Sequence, residues 1–253
     1  MLDTGDCGGV DKVVGMAQYT GYGICAKFHD GDPAGDKYGF QEKFAQLAAK
    51  CRPLNIPLVA WGYCYGDAYG NLAKEAAAAV QSLDSGGQAY VIDAESEWEA
   101  YGCDQWAARF MQAVLRKTPG AEIAVTTYWN LRWHTRFPAK AFWLNGCSIA
   151  MPQVYYRLAQ RATGGDRQAM HSIAAEDFQG AGYKSIHPVG EFSADVTDTL
   201  DFLDIAGSGP HSFWLVDGFQ DSPSMRVLGL VGQRLRANQA TKAGKRGLGN
   251  GQG

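Results

Sequence analysis

The stretch Ala89-Tyr-Val-Ile-Asp-Ala-Glu-Ser-Glu-Trp-Glu99 carries the densest chemistry in the chain. An apolar run ends there in Asp93-Ala94-Glu95. On a strand, residues i and i+2 point to the same face, so the two carboxylates sit side by side at a strand end. Two acids held close in a partly dry place push their pKa values apart. One then stays protonated as an acid while the other stays charged. That is equipment for cutting a glycosidic bond. The bland alternative is a pair of acids that cap the next helix or pair with a basic neighbour.

The elements that position this pair follow a single rhythm. Short β-rich apolar runs alternate with stretches of helical period. The runs are 23–28, 57–63, 89–93, 122–127, 148–154, 184–189 and 211–215. Between them lie helix-like stretches at 38–51, 71–83, 103–117, 166–180 and 195–205, with Asp195 as a candidate N-cap and a last helix at 225–236. Strands alternating with helices of this length imply βαβ units and a parallel sheet. Seven evenly spaced strands favour a closed barrel, and no Gly-rich phosphate loop opens a helix. The expected fold is an α/β, TIM-like (β/α)8 barrel over residues 1–236. It is one strand short of eight, because the chain opens on the loop-like Met1–Gly9 and a helix-like 10–19. Strand 1 is therefore short or missing, and the runs count as strands 2 to 8.

In such barrels the active site lies at the C-terminal strand ends. Those ends supply Lys27, His29 and Asp30 on strand 2, and Trp61, Tyr63 and Tyr65 on strand 3. Strand 4 supplies Asp93 and Glu95, strand 5 Thr127, Tyr128 and Trp129, and strand 6 Gln153 and Tyr155. Glu191 follows on strand 7, Trp214 and Asp217 on strand 8. Sugar rings stack their C–H faces on aromatics and need amide and carboxylate partners, so this rim reads as a saccharide cleft. Each aromatic alone would more often be core packing.

Other chemistries fare worse. The five histidines (29, 134, 171, 187 and 211) form no HxH or HExxH, and no metal or cofactor is expected. No GxSxG elbow is present. The six cysteines are scattered, which suits buried free thiols in a reducing compartment.

At 253 residues and 46% hydrophobic composition the chain can bury a full core. The net charge of −3 gives no reason to expect nucleic-acid binding, and it hides an asymmetry. From Ser222 onward there are six basic residues and no acids, while Met1 to Asp221 carries 17 basic against 26 acidic residues, a net of −9. The Gly-rich basic end, 237–253, has little to bury and is expected to be disordered. Neither a signal-peptide pattern nor a run long enough to span a bilayer is present. The expectation is cytoplasmic synthesis without membrane insertion, and release by another agent if the protein acts at a cell wall or in a virion.

The Asp-x-Glu at 93 and 95 resembles glycoside hydrolase family 25. Met151-Pro-Gln-Val-Tyr-Tyr156 and Phe213-Trp-Leu215 resemble family 18-type barrels, and 61–66, 90–95, 134–138 and 151–155 resemble an uncharacterised bacterial and phage barrel group. Of the family 18 signature DxxDxDxE only Asp93 and Glu95 remain, with Gln88 and Val91 at the earlier acid positions. The resemblance implies an O-glycosidase acting on an N-acetylated polysaccharide such as peptidoglycan, in an endolysin-like setting. Glu95 would be the general acid and Asp93 would stabilise charge at the anomeric carbon. Tyr155 and Gln153 would hold the acetamido group, Trp214 would floor the sugar and Asp217 would assist. Tyr63, Tyr65, Tyr128 and Glu191 would line the cleft. Retaining, inverting and substrate-assisted chemistry all stay open. The alternative is a non-catalytic carbohydrate-binding barrel or a virion component that meets other phage proteins.

Overall fold

The computed structural model describes residues 9–31, 36, 38–192, 196–207 and 209–215. Its strands are β1 (Ile24–Asp30), β2 (Leu58–Tyr63), β3 (Ala89–Asp93), β4 (Glu122–Tyr128), β5 (Ile149–Val154), β6 (Ser185–Ile186), β7 (Val189–Phe192) and β8 (Ser212–Leu215). The helices are α1 (Val10–Thr20), α2 (Phe40–Cys51), α3 (Leu72–Asp84), α4 (Cys103–Lys117), α5 (Ala139–Leu144), α6 (Ala159–Thr163), α7 (Arg167–Gly180) and α8 (Val196–Ala206). All pairings are parallel, in the order β1-β2-β3-β4-β5-β7-β8, with β6 also beside β5. This is the curled sheet and helix alternation of a TIM barrel. Among the described residues no ladder joins β8 to β1, so backbone pairing does not close the ring.

Local chemistry sets the element ends. Asp166 caps α7, accepting from Ala169 N at 2.9 Å. Asp36 accepts from the Phe40 and Gln41 amides at the start of α2. Gly21, at φ 77°, ends α1 in the left-handed conformation that glycine adopts without strain.

The core has two layers, as expected of a sheet curled on itself. Between strands and helices lie Phe28, Phe44, Tyr90, Ile92, Trp98 and Phe110, all buried. Inside the curl lie Trp61, Val91, Ala124, Ile149, Met151 and Val189, with Cys25, Val59, Tyr63 and Tyr155 packed on them. Alternation along β3 thus sends Tyr90 and Ile92 outward, and Val91 and Asp93 inward.

Three expectations need correction. The run at 184–189 is not one continuous strand: it breaks at His187-Pro188, because Pro188 has no N–H to give the ladder. The same register resumes beyond it, Ile149 facing Ser185 and Gln153 facing Val189. The region 134–144 holds a short helix, α5, that the helical pattern did not reveal. On β1 the register slips between Lys27 and His29. That bulge turns His29 into the helix-facing layer, against Tyr90, so it does not share the inner face with Lys27.

The expectations on strand 1, the cap Asp195, the helix at 225–236 and the basic end at 237–253 fall outside the described residues. Cys25, Cys51, Cys64, Cys103 and Cys147 are free thiols. Among the described residues, no helix is long and apolar enough to cross a membrane.

Candidate active site

Asp93 is the last residue of β3 and faces inward, 3% exposed. Glu95 follows two residues later, on the turn into the 3-10 segment Ser96–Glu99. That segment is anchored by Trp98, which is fully buried and donates its indole N–H to the Cys64 carbonyl at 2.6 Å. Gln153, on β5, reaches across the mouth. Its amide nitrogen donates to Asp93 Oδ1 at 3.3 Å and to Glu95 Oε1 at 3.2 Å. One amide thus contacts both carboxyl groups.

Burial pushes the Asp93 carboxyl well above the usual carboxylate range, and the like charge of Glu95 pushes it further, while Lys27 opposes both. Its surroundings thus favour the protonated form of Asp93 more than water does. Asp93 lies within the sheet, and Glu95 sits half-buried just beyond the strand end.

Lys27 was named among the strand-end residues but was given no role. It stands on the inner face of β1, opposite Trp61 of β2. Its amine lies 2.7 Å from Asp30, 4.9 Å from the centre of the Trp61 ring and 5.2 Å from that of Phe40. Its side chain is 14% exposed. The signal was present in the alternation of Cys25 and Lys27 on one face, but the i+2 rule also drew in His29, which the bulge removes.

The aromatic rim is ordered by acids. Tyr63 donates its hydroxyl proton to Glu97 at 3.1 Å, and its ring lies 4.9 Å from that of Tyr65. Burial and the nearby Glu95 charge raise the Tyr63 phenol. Tyr155 packs on the inner core, raised by burial and then by Asp93 and Glu95. Glu191 is tied to Arg157 at 3.1 Å, and burial raises its carboxyl. Tyr128 stacks on His134 with ring centres 3.5 Å apart and is pushed up to about 12, by burial first and then by Glu99. His134 Nδ1 lies 2.7 Å from Glu99.

Asp93, Glu95, Gln153, Tyr155 and Lys27 thus meet at one end of the barrel, with Tyr63 and Glu191 beside them. Tyr65 stands further out on the loop after β2, where Glu75 of α3 accepts from the Tyr65 and Gly66 amides at 2.8 and 3.1 Å. Glu75 is a residue that sequence reasoning missed. Trp214 lies on β8 opposite Glu191, its side chain outside the described part. Asp217 lies outside the described residues. Among those described, no group of three or more His, Cys, Asp or Glu side chains is arranged to hold a metal.

The fold has solved counterparts. A deoxyribose-phosphate aldolase candidate from Toxoplasma gondii ME49, in its apo form, matches with a TM-score of 0.51 and 15% identity over 87% of this chain and 89% of its own. A second structure bearing that name and source matches at 0.50 and 15% identity, over 92% and 88%. Both are similar to this chain in fold. No protein-family model matches the chain, and no curated protein matches it.

These neighbours correct the resemblance drawn from the sequence. The two solved barrels named above are deoxyribose-phosphate aldolase candidates, not glycoside hydrolases of family 25 or 18. The O-glycosidase activity, the peptidoglycan substrate and the endolysin setting inferred from that resemblance fall with it. The physical reason is the weakness of the carrying motif. Two acids at i and i+2 end any strand that opens on a polar mouth, and their spacing alone does not choose a reaction.

Proposed function

We propose that the barrel mouth is the active site of a lyase that makes or breaks a carbon–carbon bond beside a carbonyl, through a Schiff base on Lys27. The observation that carries this reading is the placement of the Lys27 amine on the inner face of β1, largely buried, 4.9 Å from the Trp61 ring, with its charge felt by the buried Asp93. The aldolase names of the matching barrels support the reaction class.

Lysine amines form Schiff bases with carbonyl substrates. The neutral amine attacks the carbonyl carbon, the oxygen leaves as water and an iminium remains. A base then takes the proton of the hydroxyl on the far carbon of the bond to be cut. That bond breaks and its electron pair flows into the iminium, giving an enamine and a free carbonyl product. Protonation at carbon and hydrolysis return the lysine. In this scheme Asp93 delivers the proton to the departing oxygen and Glu95 accepts the hydroxyl proton. Gln153 keeps the two at fixed spacing. The Lys27–Asp30 pair is partly exposed on the Asp30 side, so it adds little stability and gives way to substrate.

The test is trapping. The protein is incubated with pyruvate and sodium borohydride, and the digest is read by mass spectrometry. The expected result is one reduced adduct on the peptide that holds Lys27, lost in Lys27→Met. No adduct, or an adduct that survives in Lys27→Met, overturns the reading.

A further inference from the structure

Beside the barrel mouth lies a second concavity, of about 240 Å³, between the loop after β4 and the segment after β5. Tyr128, Trp129 and Trp133 form one wall, and Leu158, Arg161 and Ala162 the other. Trp133 is 61% exposed. A large exposed aromatic on a mobile loop would mean little. Here the loop is fixed from several sides. Asn130, 1% exposed, accepts from Trp133 N at 3.1 Å. Asp177 of α7 accepts from the Leu131 and Arg132 amides at 2.8 and 3.0 Å and from the Arg132 side chain at 2.9 and 2.7 Å. Trp129 meets Trp133 edge to face, with ring centres 5.5 Å apart. The indole of Trp133 is thus held out over the cavity by a built scaffold.

Arg161 is the permanent cation in this lining, which also holds His134, its Nδ1 2.7 Å from Glu99. No carboxylate lines the cavity, and Arg161 has no acidic partner within ion-pair distance among the described residues. A guanidinium with no acidic partner among the described residues, beside flat aromatic walls, suits a planar ring that carries an acid group. The ring stacks on indole and phenol, and the acid takes the fork of Arg161. The volume lies below the range usual for drug-sized ligands, which limits the occupant to one ring with a short acidic arm.

We propose that this cavity is a binding site for a small aromatic carboxylate. The proposal stands on its own lining and does not need the Schiff-base chemistry.

Calorimetric titration tests it with three probes: benzoate, benzamide as its neutral counterpart, and acetate as the charge without the ring. Benzoate should bind saturably, benzamide about tenfold more weakly and acetate not at all, because a charge-assisted bond and a stacked ring each contribute on the order of tenfold. Arg161→Gln should bring benzoate down to the benzamide level. Trp133→Leu should weaken both ring compounds. Both residues are exposed, and thermal melts matching wild type would show that the variants fold. Equal affinity for benzoate and benzamide, wild-type affinity in Arg161→Gln, or no binding of benzoate would each overturn the proposal. Benzoate binding that persists in Lys27→Met, whatever the trapping result, would show that this site is separate from the lyase reading.

Discussion

Tyr22 and His211 join β1 and β8, the two edges of the sheet that share no backbone ladder among the described residues. The Tyr22 hydroxyl lies 2.7 Å from His211 Nε2, just before β1 and β8 respectively. His211 Nδ1 lies 2.9 Å from the Gly209 carbonyl, so Nδ1 carries the proton and Nε2 accepts from Tyr22. The Tyr22 ring also meets Phe213 edge to face at 6.2 Å. Side chains therefore tie the seam at the N-terminal ends of these strands, opposite the active-site mouth.

Tyr22→Phe should keep the ring contacts and leave Nε2 of the half-buried imidazole without its donor. The expected cost is about 1 kcal/mol. Urea denaturation reads it as a lowered midpoint with an unchanged slope. A midpoint equal to wild type would show that the seam does not depend on this bond.

Acid should weaken the fold through its buried histidines. Burial lowers His29 to about 4, and His171 likewise to about 4. Both rings are neutral in the fold at pH 5, whereas an unfolded histidine is largely protonated there. The unfolded state then binds more protons, and stability falls as pH drops from about 6.5 toward 4. His29→Asn should show a smaller loss than wild type over this window. An identical pH slope in the two proteins would contradict the buried neutral ring.

Glu75 works in the other direction. Burial raises its carboxyl to about 7 in spite of two amide bonds that favour the anion. The fold holds this proton more tightly than the unfolded chain, so the contribution of Glu75 declines as pH rises from about 4.5 through 7. Glu75→Gln should remove that decline. It should also cost about 1–3 kcal/mol at pH 5, since glutamine offers one acceptor where two amides wait. Denaturation midpoints at pH 5 and pH 8 for both proteins check this. A variant with the wild-type pH slope would place the titration elsewhere.

The sheet was legible because its physics is local. Ala89–Asp93 and Cys103–Lys117 are bounded in the structure as the pattern predicts, and Asp166 caps α7 as an acid before a helical run should. The convergence of Asp93, Glu95 and Gln153 follows from strand period alone. What stayed hidden is what depends on tertiary context. The bulge at Lys27–His29 is a one-residue slip that no apolar pattern marks, and it decides which of these two strand-end residues faces the mouth. Glu75 lies in an alanine-rich helix, where a glutamate looks like solvent-facing surface. Only the packed loop shows that it is a buried acceptor. The reaction itself was read from a spacing that many strand ends share.

The bulge makes one strong demand on a neighbour. Gly62, on β2, lies beneath the pair formed by His29 Nε2 and the Tyr90 hydroxyl, which are 2.6 Å apart with rings nearly parallel. A Cβ at position 62 would lie 2.1 Å from His29 Nε2 and 2.5 Å from the Tyr90 oxygen. Neither ring can swing clear, because both are buried in the helix-facing layer. Gly62→Ala should therefore destabilise by about 3 kcal/mol through overpacking. The cause can be isolated by a cycle with His29→Ala, which removes the closer obstacle. If the imidazole lies over Gly62, the double variant should lose clearly less than the sum of the two single losses. Additive losses in urea denaturation would mean that His29 stays on the inner face with Lys27. The barrel mouth would then hold an imidazole that the bulge, as described, takes away.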